Sequence, residues 1–305
     1  MRLAILNFNR KLYVSDTDIN QALDGMEELE LDVLIGVEPG QASLFNSARI
    51  QTLARNRGME AKLIRRNHTG SDGGILMITN KDWSKIPHKI TPYRTNKESL
   101  NGRAMSIVFD NKEKGGHHRK IQIIAVHLLN SANNNSVDSA RLLKWISGQK
   151  RDFAIENPKA PSMVIGDLNA AEDEYLDTDR IGATRNSGKM EEDAAVIQCI
   201  KDMRYTDLIR ARFPNTRMVT RAVTHQTNRL LDRIMVTKQL AVHPHTRIAI
   251  YKDSLTHAGS DHLMVVADLP IDTAKVAKQR ETYGTCTNTR NGRGQKERRR
   301  RKRRP

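Results

Sequence analysis

Residues 162–170, Ser162-Met163-Val164-Ile165-Gly166-Asp167-Leu168-Asn169-Ala170, read as a short apolar strand that leaves its sheet at a glycine and at once presents a carboxylate and an amide two positions apart. Val164 and Ile165 favour extended backbone, and Gly166 permits a close bend. An Asp and an Asn carried at a strand end can hold a hard cation or a water bound to phosphate. The plain alternative is an Asx turn after an ordinary strand. What separates the two readings is how many other strand ends in the chain carry the same kind of residue.

Working outward, residues 1–9 alternate toward a buried strand that ends in Leu6-Asn7-Phe8-Asn9 and is followed by the basic turn Arg10-Lys11. Ile19, Leu23, Met26 and Leu29 recur at helical spacing across 16–30. Residues 32–40 give a second strand, stopped by Pro39-Gly40 with Glu38 at its end, and a second helix is predicted over 42–56. Asn7 and Glu38 therefore stand at carboxyl ends of strands, the side on which α/β layers gather their sites. The rhythm then changes. Strands are predicted at 61–66, 73–78, 104–109, 121–126 and 163–165, most of them joined by polar turns too short for parallel crossovers, so antiparallel neighbours are expected.

Helices are predicted over 137–156 and 191–203, the second after a charged stretch at 171–190 that reads as an excursion loop. Tyr205-Thr206-Asp207-Leu208 opens a short helix toward Arg212, and 230–236 and 262–269 are the last strands. The whole is strand-rich with helices on its outer faces, which predicts one α/β (α+β) domain over residues 1–270, a layered β-sheet sandwich. Residues 271–305 lose apolar content and finish in an arginine run that mutual repulsion should leave disordered.

Composition narrows the function classes. The 305 residues carry a formal charge of +16. Ten Lys/Arg against one Glu put +9 of it in residues 290–305, so +7 remains on the body. Such a surface suits a polyanionic partner, DNA or RNA. Mean hydropathy is −0.61, and no stretch approaches the roughly 20 apolar residues that span a bilayer. Cys199 and Cys286 are the only cysteines, which excludes a disulfide scaffold or a zinc cluster and makes a reducing compartment the expectation. Aromatic content of 4% argues against an extensive base-stacking surface, and Trp83 and Trp145 are read as packing residues.

Asn7, Glu38, His127, Asn130, Asp167, Asn169, Asp207, Asp232, Asp261 and His262 nearly all stand at or just past the end of an apolar strand. Carboxylates with amides and histidine, without cysteine ligands, suit Mg²⁺ or Mn²⁺ better than zinc. They also match what phosphodiester hydrolysis needs: a base for water, contacts for the developing phosphorane charge and help for the leaving oxygen.

At this point the sequence resembles a known family. Leu6-Asn7-Phe8-Asn9, Gly36-Val37-Glu38, Val126-His127-Leu128-Leu129-Asn130, Gly166-Asp167-Leu168-Asn169, Leu231-Asp232-Arg233-Ile234 and Ser260-Asp261-His262 occur in the order and rough spacing of the endonuclease/exonuclease/phosphatase superfamily. This is the DNase I-like fold, a four-layer sandwich of two mostly antiparallel sheets flanked by helices. Within it, the chain is most similar to the apurinic-type endonuclease domains of non-LTR retrotransposons. The stretch from Tyr205 to Arg210, with Phe213-Pro214-Asn215 and Thr224, resembles the segment those nucleases place before their penultimate acidic strand.

The resemblance implies that Glu38 is the principal metal ligand, assisted by Asn7 and Asp261. It implies that Asp167 orients or deprotonates the attacking water, and that Asn169 and Asn130 contact the phosphate or stand beside it. His262 would bind or protonate a phosphoryl oxygen, oriented by Asp232. Arg10, Lys11, Arg103 and Arg233 are the expected nucleic-acid contacts, Arg103 having the sheet edge as its equal alternative, with Asp207 and Thr224 in support; Asp207 is more simply a helix cap. Two positions depart from the pattern: His127 stands where those enzymes carry a tyrosine, and His225 replaces an aromatic neighbour of Thr224. An imidazole can donate to phosphate as a phenol does.

Three functions follow as expectations. The first is a DNA endonuclease that nicks one strand to leave a 3′-hydroxyl and a 5′-phosphate. The second is an RNA exonuclease or a phospholipid or inositol phosphate phosphodiesterase on the same scaffold, and the third is a binding module with a relict site. A monomeric catalytic domain is expected, with the basic tail serving as a nuclear address, a nucleic-acid arm or the disordered end of a longer translation product.

Overall fold

The computed structural model describes residues 1–271 apart from 10–11, 13–14, 41–43, 66–73, 113–117, 130–135, 174, 179–186, 222–228, 252–259 and 261. The basic tail, and with it the expected boundary at 270, therefore borders or lies outside the described residues. The last of them are tied down: the Met1 amine donates to the carbonyls of Leu269 at 2.9 Å and Ile271 at 2.7 Å.

The strands of the described residues form two six-stranded sheets. The first runs β11 (Arg247–Tyr251), β12 (Met264–Asp268), β1 (Arg2–Asn7), β2 (Val33–Val37), β4 (Gly74–Thr79), β3 (Glu60–Arg65). The second runs β5 (His88–Pro92), β6 (Ala104–Lys112), β7 (His118–His127), β8 (Ser162–Asp167), β10 (Asp232–Thr237), β9 (Tyr205–Asp207). Pairing is antiparallel except for β1–β2 and β7–β8. Those two pairs enclose α1 (Asp16–Glu28) and α3 (Ser136–Glu156), because a parallel crossover needs a connection of that length.

The two-residue period of the strands divides their side chains among three apolar layers. Leu3 and Ile5 of β1, Ile123 and Ala125 of β7, Met163 and Ile165 of β8 and Ile234 and Val236 of β10 meet between the sheets. The alternate residues Ala4 and Leu6 pack outward against Ile19, Leu23 and Met26 of α1 and Ile50 and Ala54 of α2 (Leu44–Asn56). On the other side, Ile124, Val126, Val164 and Met235 pack against Leu142 and Ile146 of α3 and Ile197 and Ile200 of α4 (Ser187–Asp202). Helix, sheet, sheet, helix is the four-layer sandwich that the resemblance implied. Trp83 sits edge-on to Phe109 at 5.1 Å, and Trp145 to Tyr93 at 5.6 Å, both in packing roles.

Several elements differ from the sequence reading. Strands β5, β9 and β11 and helix α6 (Lys238–Val242) were not anticipated, and α4 starts at Ser187 rather than 191. The stretch at 171–190 is no simple excursion, since Asp177 and Thr178 are buried.

Gly166 is a glycine on which the site depends. Its φ is +155°, and a Cβ there would lie 1.8 Å from the Val126 carbonyl oxygen of the paired strand. Gly166→Ala should therefore lower unfolding free energy by about 3 kcal/mol or more, from overpacking added to an unfavourable backbone conformation. Urea melts would measure the loss; a change under about 1 kcal/mol would show that β7 and β8 are not this close.

Candidate active site

Strand parity and strand direction together build the site. Asn7, His127, Asp167 and Asp232 share the parity of the residues packed between the sheets, so all four side chains face the inter-sheet layer. The carboxyl ends of β1, β7 and β8 and the start of β10 lie at one end, because β10 runs antiparallel to β8 with Asp232 opposite Asp167, while His127 pairs with Asp167 on the other side. His262 enters from the start of β12, antiparallel to β1. The apolar layer ends here in polar groups instead of closing.

The side chains engage one another. Asn7 Nδ2 donates to Asp167 Oδ2 at 3.0 Å and to Glu38 Oε2 at 3.3 Å, holding two carboxylates on one amide. Asp167 Oδ1 accepts the Asn169 backbone N–H at 2.7 Å, and Asn169 Nδ2 donates to the Leu128 carbonyl at 2.9 Å. His262 Nδ1 lies 2.7 Å from Asp232 Oδ2. His127 Nε2 lies 3.6 Å from Glu38 Oε1. Arg103 Nη1 reaches both His127 Nδ1 and the His127 carbonyl at 3.3 Å, so this arginine braces the imidazole. Asn9, Glu38 and Asn169 all have positive φ, between 43° and 49°. Left-handed backbone at three polar residues around one cleft is the kind of local strain that gathers at functional sites.

The electrostatics follow from burial of acids in close quarters. Burial first, and then the neighbouring Asp232, push the Asp167 carboxyl up from 3.8 to about 6, against the opposing effects of His262, the Asn169 N–H and Asn7. Asp232 Oδ1 is buried with no hydrogen-bond partner among the described residues. Asp167, Asp232 and His262 each offer a ligand atom, all within 4.8 Å of one another. With His262 Nδ1 engaged by Asp232, that spacing suits a water or a phosphoryl oxygen seated among them. Glu38 and Asp167 give the carboxylate oxygens that a hard divalent cation takes, Asn7 can add Oδ1, which accepts the Asn9 N–H at 2.8 Å, and a cation there would relieve the crowding of carboxylates.

Of the residues singled out from the sequence, Asn7, Glu38, His127, Asp167, Asn169, Asp232 and His262 come together, with Arg103 behind His127. Asn130, Asp261, Thr224, His225, Arg10 and Lys11 lie outside the described residues. Arg233 is a correction. The parity that turns Asp232 toward the site turns Arg233 to the opposite face, where its guanidinium is fully buried between Asp207 and Asp177 and can touch no polyanion. Asp207 also caps α5 (Leu208–Arg212), accepting from the Ile209 N–H at 2.9 Å.

Sequence reasoning missed the supports. Burial works to raise the Asp177 carboxyl, but Arg233 and then Arg210 outweigh it and hold it below the usual carboxylate value. Thr220 Oγ1 accepts the Leu231 and Asp232 N–H groups, both at 3.0 Å, fixing the start of β10. Ser260 Oγ donates to the Asn7 carbonyl at 2.5 Å and accepts the His262 N–H at 3.0 Å, tying two site elements together. A hydroxyl two residues before His262 was the available signal for Ser260. Arg233→Met should cost on the order of 3–5 kcal/mol by leaving buried Asp207 without its cation and Asp177 with Arg210 alone, read from denaturant melts. A loss under about 1 kcal/mol would contradict the buried network.

No protein-family model matches the sequence, and no curated protein does. Solved structures do. An AP endonuclease from Archaeoglobus fulgidus superposes with a TM-score of 0.60 at 15% identity, over 89% of this chain and 100% of that one. The AP endonuclease LMAP from Leishmania major gives 0.69 at 16% identity, over 87% and 86%. The 3′-5′ exonuclease NExo from Neisseria meningitidis gives 0.65 at 14% identity, over 88% and 99%. At these identities the likeness establishes the DNase I-like fold of this chain.

Proposed function

We propose that the chain is a divalent-metal-dependent phosphodiester hydrolase, and specifically a DNA endonuclease that nicks one strand. The observation that carries this is the joining of Asn7, Glu38 and Asp167 with the Asp232–His262 pair at the open end of the inter-sheet layer. The structural neighbours named as AP endonucleases and an exonuclease support nucleic acid as substrate, as does the +16 charge. No described helix is long and apolar enough to cross a membrane.

The residues divide the work. Asp167, held by Asn7 and the Asn169 N–H, takes a proton from the attacking water as its oxygen bonds to phosphorus. The P–O3′ bond breaks, the departing 3′ oxygen takes a proton from solvent water and leaves as a hydroxyl, the other fragment keeps a 5′-phosphate, and Asp167 returns its proton to solvent. His262 donates from Nε2 to a phosphoryl oxygen, while Asp232 fixes the ring through Nδ1 and stabilises its protonated form. His127, braced by Arg103, presents its other ring nitrogen toward Glu38 and the phosphate. Mg²⁺ or Mn²⁺ held by Glu38, Asn7 and Asp167, with Asp261 as a further ligand, would supply Lewis-acid stabilisation of the phosphoryl charge. The basic tail would add sequence-independent affinity for the phosphate backbone.

The test is a substrate panel: supercoiled plasmid, abasic duplex, single-stranded RNA, sphingomyelin and inositol phosphates, each with Mg²⁺ and with chelator. Metal-dependent nicking of the plasmid or the abasic duplex is expected. Turnover confined to sphingomyelin or an inositol phosphate would move the chain to the second class of substrate, and no turnover anywhere would leave a binding module.

A further inference from the structure

A groove of about 980 Å³ runs between α3 and α4 on the outer face of the second sheet. It is not part of the site. The site's side chains face the layer between the sheets, whereas the groove lies on the outer side of the second sheet, along α3 from Ala140 to Ala154 and against Cys199 to Arg204 at the end of α4.

The floor and the rim differ in chemistry. Leu143, Cys199 and Met203 make an apolar floor, and Lys144, Lys150, Arg151 and Arg204 line it with cations, against the single acid Asp202. Asp202 already accepts from Gln198 at 2.7 Å. Lys150 is half-buried over the Tyr205 ring at 4.7 Å, and burial together with Arg204 holds its pKa below the usual lysine value. Lys144, Gly148, Arg151 and Ile155 follow one another along one stripe of α3, and Ile155 is 73% exposed. At Gly148 an added Cβ would meet nothing within 4 Å, so the groove is open there.

We propose that this groove docks an acidic amphipathic helix from a protein partner, its apolar face on Leu143, Met203 and Ile155 and its carboxylates against Lys144, Lys150, Arg151 and Arg204. A trough between two helices is the shape in which an amphipathic helix buries one face, and the excess of cations around it selects an acidic one. A nucleic-acid backbone would use the cations but gain nothing from the apolar floor or from Ile155. An acidic side chain would offset the repulsion from Arg204 that disfavours the Lys150 charge.

The test uses the full chain and a fluorescent synthetic peptide of roughly 20 residues, helical, with glutamates on one face and leucines and alanines on the other. Saturable binding is expected, weakened at least about tenfold by Gly148→Phe and by Lys144→Glu with Arg151→Glu. Gly148→Phe fills the open trough without a clash and improves helix propensity, so the fold and phosphodiester hydrolysis should be unchanged. In a Cys286→Ser background the bound peptide should also slow alkylation of Cys199. Binding that does not saturate, that survives Gly148→Phe, or that leaves Cys199 unprotected would overturn the proposal. So would a result in which Gly148→Phe weakens labelled duplex DNA instead of the peptide, or abolishes self-association of the chain in sedimentation without affecting the peptide.

Discussion

Glu38→Gln is expected to lower phosphodiester hydrolysis by about three to four orders of magnitude at saturating Mg²⁺, which corresponds to roughly 4–5.5 kcal/mol of lost transition-state stabilisation. The substitution keeps the size of the side chain and its tolerance of the positive φ, but removes the charge that Asn7 brings to 3.3 Å and that faces His127 at 3.6 Å. Because Glu38 and Asp167 share one amide donor, neutralising either relieves crowding among acids in the metal-free protein. The melting temperature without metal should therefore hold or rise while activity collapses. Equal turnover of wild type and variant across a Mg²⁺ titration would remove Glu38 from the site.

Asp167→Asn should be comparably severe in rate, about 10²–10⁴-fold, since it removes the group placed to accept the proton of the attacking water. It has a second signature in stability. The folded carboxyl titrates near 6, whereas an unfolded one loses its proton near the unperturbed 3.8. Between those values the folded state binds more protons than the unfolded state, so metal-free stability should fall as pH rises from about 4 to about 6 and then level off. At about 1.4 kcal/mol per pH unit the fall is of order 3 kcal/mol. In Asp167→Asn it should flatten, and added Mg²⁺ should stabilise the wild type far more at pH 8 than at pH 5. Urea melts at pH 4, 5, 6 and 8 check this; parallel profiles for the two proteins would show that burial does not raise the Asp167 carboxyl.

Much of the sandwich was legible because long alternating strands carry their own evidence of register. In β1, β7 and β8 the apolar alternation names the inter-sheet face, and extending it to the strand end names Asn7, His127 and Asp167 as site-facing. The elements that escaped were those without such a signal. β5 spans five largely half-exposed residues ending in a proline, and β9 is three residues long. Arg233 is an expected nucleic-acid contact in the sequence reading, but the alternation that turns Asp232 inward places it on the other face. Asp177 lay in a charged stretch that composition marks as loop. Its role exists only once β10 and α5 bring Arg233 and Arg210 to it, a long-range pairing that local sequence does not encode.

Buried charges and hydroxyls also tie the site elements to the rest of the fold. Arg233 joins the start of β10 to both Asp177 and Asp207, and Ser260 joins β1 to the approach to β12. Asp232 and His262 are therefore each fixed by contacts outside the reacting groups, which is how a general acid or a phosphate donor keeps its aim.

The most direct measurement is nicking of supercoiled plasmid followed by treatment with DNA ligase alone. A hydrolase that breaks the P–O3′ bond at this site should relax the plasmid with Mg²⁺ and not with chelator, and the nicks should be closed by ligase without prior end repair, because 3′-hydroxyl and 5′-phosphate ends are what ligase joins. Glu38→Gln at equal concentration should leave the plasmid supercoiled. Relaxation that persists in chelator, or that Glu38→Gln matches, would contradict a metal-dependent site built on Asn7, Glu38 and Asp167.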